Sequence, residues 1–174
     1  PFLFGQDDLY MPLNIKKAYE NGTRNYDGTP GPNYWQNSSD YKIKVEIDPE
    51  KKILYGSETI TYYNNSPDTL KSLVIRLYQN IFRIGNARDF SIKKEVINDG
   101  VNLSKIVVNG EEVDSTSSIT KKLKGTNLIL KLENPVSPQE NIKLAFEWDF
   151  IIPHKTTLRM GAYDSTSFFI AYWY

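Results

Sequence analysis

The chain has 174 residues, 40% of them hydrophobic and 24% charged, enough for one globular domain that buries about 70% of its unfolded surface. Its 21 basic and 21 acidic residues cancel, so no long-range field is available to hold a polyanion, and nucleic acid is not an expected partner. With no cysteine there are no disulfides or thiolate metal sites, and no apolar run approaches the roughly 20 residues of a membrane-spanning helix.

Residues 1–39 mix loop chemistry (Gly28, Thr29, Pro30, Gly31, Pro32) with aromatics that favour burial (Tyr10, Tyr19, Tyr26, Tyr34, Trp35), which predicts an irregular N-terminal arm laid over a body formed by residues 40–174. Within the arm a short helical turn is expected around Ile15–Tyr19, closed by Asn21-Gly22. From Asp40 the period changes to two. Tyr41, Ile43, Val45 and Ile47 alternate with Lys42, Lys44 and Glu46, the pattern of a strand with one wet face. Asp48-Pro49-Glu50-Lys51 turns the chain into a second strand, Ile53 to Asn64, in which Gly56 signals a bulge or a close backbone approach. After Asn65-Ser66-Pro67-Asp68 a third strand carries Leu73, Ile75 and Leu77 in alternation. Residues 80–100 read as a long connection. The stretch "KIVVNGEEV" places Asn109-Gly110 between strand-like segments, and Asn-Gly accepts the positive φ angles of a two-residue hairpin turn. Strands are then expected at 118–123, 127–132, 141–152 and 167–174. About nine short strands without a convincing long helix predict an all-β fold, an antiparallel β-sandwich.

Catalytic chemistry is sparse in this sequence. A tetrahedral zinc site needs three or four His, Cys or carboxylate ligands, and the chain has one histidine, His154, at the end of a long strand. No G-x-S-x-G turn accompanies it, and no phosphate-cradling glycine motif is present. The paired carboxylates Glu111-Glu112 and Asp48 with Glu50 fall in predicted turns, where solubility explains them. Catalytic residues and metal ligands are accordingly expected to be none, and no cofactor is expected in this chain. The 12 Tyr, 8 Phe and 3 Trp are read chiefly as core between sheets, with a carbohydrate- or protein-binding surface as the alternative.

The segment "YWQNSSDYKIKVEIDPEKKILYGSETITYYNNSPDTLKSLVIRLYQNIF" resembles the start of the N-terminal β-domain of the aminopeptidase N family of zinc metallopeptidases, the gluzincins, and within it the bacterial leukotriene-hydrolase-like branch. The elements that carry the resemblance are Asp48-Pro49, the run Gly56 to Leu70, and Leu77 to Asn80. The closing "MGAYDSTSFFIAYWY" is similar to the stretch with which the family leads into its catalytic domain. The resemblance implies that the H-E-x-x-H helix, its zinc and the third glutamate ligand reside in a following domain, absent here, on which this one packs and whose peptide cleft it helps to form. It further implies that Tyr172 and Tyr174 line that cleft and that Phe169 and Trp173 lie at the domain interface. The family's Q-x-E segment, whose glutamate holds the substrate's amino group, has no counterpart here. Tyr172 and Tyr174 fall near those positions, and a phenol brings a hydrogen bond without charge near neutral pH. The alternative from a different class is a free-standing β-sandwich that binds carbohydrate or protein ligands.

Overall fold

The computed structural model describes residues 10–156 and 158–173. The chain divides into two compact units between Asn37 and Ser38.

In the first unit, α1 (Leu13–Glu20) ends in a left-handed glycine cap. Gly22, at φ 67°, lets its own N–H reach Tyr19 O and the next N–H, of Thr23, reach Ala18 O, so two otherwise orphaned carbonyls are satisfied. The following loop folds back so that Gly31 lies against the Gly22 carbonyl, where a Cβ would sit 2.1 Å from its oxygen. Tyr19 and Tyr26 stack at 4.1 Å and 3°.

The second unit is an antiparallel β-sandwich. Ten strands are assigned among the described residues: β1 (Ser38–Asp48), β2 (Ile53–Tyr63), β3 (Leu70–Arg76), β4 (Asn102–Val108), β5 (Glu111–Glu112), β6 (Thr120–Lys124), β7 (Asn127–Val136), β8 (Asn141–Ile151), β9 (Met160–Ala162) and β10 (Phe168–Ile170). They form a five-stranded sheet in the order β1-β2-β8-β4-β5, a three-stranded sheet β3-β7-β6, and the hairpin β9-β10. The expected Asn-Gly hairpin is present: Asn109 and Gly110 take φ 51° and 91°, and Val108 pairs with Glu111.

Two sheets share one core. Along β8 the even residues Ile142, Leu144, Phe146, Trp148 and Phe150 are all buried, and they meet Leu73, Leu128, Leu130 and Leu132 of the other sheet in a single hydrophobic cluster. Burying a side chain of this size contributes about 1.5–3 kcal/mol relative to leaving it wet, which is why the alternation fixes the register. Gly56 is a close approach rather than a bulge. The β1-β2 and β2-β8 registers run through it unbroken, and Trp148 covers it so tightly that a Cβ would lie 2.2 Å from the ring.

Two elements differ from the sequence expectation. Strand β7, expected over 127–132, runs on to Val136; the pairing with β3 skips from Lys131 to Val136, so Pro135 sits in an irregularity that needs no ladder donor. The closing strand, expected over 167–174, is confined to Phe168–Ile170. It pairs with the unanticipated β9, and beyond it Tyr172 turns left-handed at φ 55°. The long connection contains two short 3-10 turns, Tyr78–Phe82 and Lys94–Val96.

The motif residues Asn64 and Asn80 are fully buried hubs. Asn64 Nδ2 donates to the carbonyls of Asp68, Val136 and Ser137 at 2.8–3.1 Å, and its Oδ1 accepts from the Ser66 N–H and hydroxyl. One amide therefore ties the β2-β3 turn to the β7-β8 turn. Asn80 Oδ1 accepts the Val101 N–H at 2.8 Å, and its carbonyl takes the Asn86 side-chain amide.

Candidate functional site

The five-stranded sheet extends beyond its partner. Tyr41, Val45 and Ile47 of β1 stand opposite Ile60, Gly56 and Leu54 of β2 and so share the core-facing side of the sheet, yet all three remain exposed. Beneath this overhang, between β1-β2 and the edge strand β3, lies a cleft of about 550 Å³ whose walls include Tyr41, Glu58, Ile60, Ile75, Arg76 and Tyr78. Glu58 and Arg76 also line a smaller space that continues to Trp148, Tyr172 and Trp173.

Glu58 is the chemically unusual group. Its β2 register places it between Ile43 and Phe146, in phase with Leu54 and Ile60, and it is only 9% exposed. Its Oε2 is buried and has no hydrogen-bond partner. Burial alone holds the carboxyl above the ordinary glutamate value of 4.5, because the charged form loses water and gains no counter-charge. Arg76, on the exposed rim, makes no ion pair with it; the ion pairs among the described residues are Lys51–Asp48 and Lys105–Glu147.

Sequence reasoning passed over Glu58. The signal was present: Leu54, Gly56, Glu58, Ile60 and Tyr62 are all even-numbered in one strand, so an acid fell in phase with the buried set.

The predicted site residues cluster at the end of the chain. Phe168 and Ile170 pack inward beside Met160, whereas Phe169, opposite Gly161, is 50% exposed. Tyr172 is 51% exposed, its ring 5.7 Å from that of Tyr78, and its hydroxyl accepts from Arg159 Nη1 at 3.3 Å. Trp173 packs against the core, its ring 6.2 Å from Trp148. Tyr174 lies outside the described residues. The backbone of this segment is held by Gln79, whose Nε2 donates to the carbonyls of Ala171 and Tyr172 at 3.1 and 2.9 Å, and by the Ala171 N–H bonded to Arg159 O. Gln79 is itself buried. Tyr172 and Trp173 thus meet at one end of the smaller space, while Phe169 points away on the opposite face of its hairpin.

No group of three or more His, Cys, Asp or Glu among the described residues could hold a metal ion, so the donor set here does not fit zinc. His154 is exposed, and Glu111 and Glu112 are exposed on β5. No helix among the described residues is long and apolar enough to cross a membrane.

No protein-family model matches the chain, and no curated protein matches it. Solved structures do. The chain is similar to an M1 zinc metallopeptidase from Deinococcus radiodurans at 15% identity, over 71% of this chain and 22% of that one, with a TM-score of 0.45. A point mutant of the M1 zinc metallopeptidase from the same organism, bound to a Tyr-Ser-Ala substrate, is similar at 14% identity over 74% of this chain and 24% of that one, with a TM-score of 0.45. A two-domain M1 zinc metallopeptidase mutant bound to L-tryptophan gives 14% identity, 75% and 24% coverage, and a TM-score of 0.46. The chain spans about a quarter of the length of these structures.

Proposed function

We propose that this chain serves as the non-catalytic N-terminal β-domain of a zinc-dependent aminopeptidase-like protein, packing on a catalytic domain and forming part of its peptide cleft. The observation that carries the reading is the closing segment. Tyr172 is half-exposed, yet its backbone and that of Ala171 are held by the buried Gln79, so its ring is offered to a neighbour in a set position. An exposed aromatic surface on a fixed scaffold is what a packed interface requires. The sequence resemblance over residues 34–82 and 158–174 supports the same assignment. Zinc and hydrolysis belong, in this reading, to the following domain, and Phe169 and Trp173 to the interface.

The test is hydrolysis of aminoacyl 4-nitroanilides by the full-length protein. Activity that chelation abolishes and zinc restores is expected, and Tyr172→Ala should raise KM about three- to tenfold while changing kcat less, as expected for a side chain that contacts substrate along the cleft wall. A full-length protein without chelator-sensitive peptidase activity would overturn the reading, and glycan or protein binding in its place would favour the free-standing module.

A further inference from the structure

A carboxylate among apolar side chains is disfavoured unless it is paired or neutralised, and Glu58 has neither an ion-pair partner nor a hydrogen bond to its buried Oε2. It opens onto a cleft whose volume, about 550 Å³, lies within the roughly 300–1,000 Å³ of small-molecule sites. The other titratable and charged groups on the cleft are Tyr41 from β1, Tyr62 from β2, Arg76 from β3 and Tyr78 from the first 3-10 turn, and Tyr172 borders the smaller space beside it. Glu58 is the one carboxylate on this wall.

We propose that the cleft between β1-β2 and β3 binds a primary ammonium carried on an aromatic or alkyl stem, with Glu58 as its counter-charge. One carboxylate is too few to hold a divalent cation, which takes six or more oxygen ligands when hard, and an anion would be repelled. Ile60, Ile75 and Leu144 offer apolar surface for the stem, and Tyr41 and Tyr78 are aromatic members of the wall. This assignment does not rest on the peptidase reading, because the cleft lies wholly within the sandwich.

The experiment is titration calorimetry on the full-length protein with tyramine, with its neutral analogue 4-ethylphenol, and with N-acetyl-lysine amide as the side-chain source of the same ammonium. Tyramine or the lysine derivative should bind and 4-ethylphenol should not, and the tighter of the two amines identifies the source. Glu58→Gln should weaken the amine about tenfold or more, with an unchanged circular dichroism spectrum confirming the fold. Arg76→Ala, an exposed substitution, should tighten the amine about threefold by removing a like charge at the rim. Absence of amine binding, equal binding of 4-ethylphenol, an unaffected Glu58→Gln variant, or weaker binding by Arg76→Ala would each overturn the proposal.

Discussion

Glu58 and Gly56 sit two residues apart on the same face of β2, and each departs from the apolar pattern around it for a different physical reason. Folding favours the protonated form of Glu58, because its carboxyl is held above the ordinary value of 4.5 by burial. Its contribution to stability is therefore complete below that value and declines as pH rises through the raised one. Glu58→Gln should remove this decline, so the variant's Tm is expected to match the parent's in acid and to exceed it by about 2–4 °C at pH 8, the shift that about 1 kcal/mol gives a chain of this size. Parallel melting curves against pH check the sign, and a constant difference at all pH values would contradict it. At Gly56 the constraint is space. Gly56→Ala forces the Trp148 ring off its neighbour and should cost about 1–3 kcal/mol, read as a lower urea midpoint with unchanged slope. Of these two, the glycine was legible in the sequence as a bulge or a close approach, the two common uses of an isolated glycine in a strand, and the unbroken registers decide for the close approach. The glutamate was not, because its significance depends on which strands lie opposite, and period-two spacing alone cannot say that a face is half covered.

Strands with long alternating runs, β1, β2 and β8, stood out in the sequence to within about two residues, as did the Asn-Gly hairpin, because both signals are local. Short elements did not. β9 has three residues, too few for any period, and β10 was overestimated because an aromatic run keeps strand propensity after its pairing partner has ended. Asn64 and Asn80 belong to the stretches that carry the family resemblance, and the structure gives them a mechanical role as buried clamps between turns. The closing segment depends on a comparable clamp at Gln79. Gln79→Ala removes two donated hydrogen bonds, each contributing about 1 kcal/mol, and should speed amide exchange at Ala171 about tenfold or more while lowering the melting temperature by about 4–8 °C. An unaltered exchange rate would assign the anchoring to Phe168 and Ile170 packing instead.

At the scale of the whole chain, balanced charge and exposed aromatic surface act together. With an isoelectric point near 7.1, the chain carries little net repulsion at neutral pH, while Tyr41, Val45, Ile47, Phe169 and Tyr172 face water. Sedimentation of the 174-residue chain should show mass rising with concentration at pH 7 and much less at pH 9, where the added negative charge opposes contact. A monomer at both pH values would mean that these patches are too dispersed to associate. The order of strands carries one more consequence. β2 lies between β1, its immediate neighbour in sequence, and β8, which begins some eighty residues after β2 ends. A nascent chain leaving the ribosome can close the β1-β2 hairpin early, but the other rim of that hairpin keeps its amides and carbonyls unmatched until residue 151 has emerged. During that interval the growing polypeptide is most open to mispairing with another copy, and slower translation past β2 would lengthen the exposure rather than relieve it.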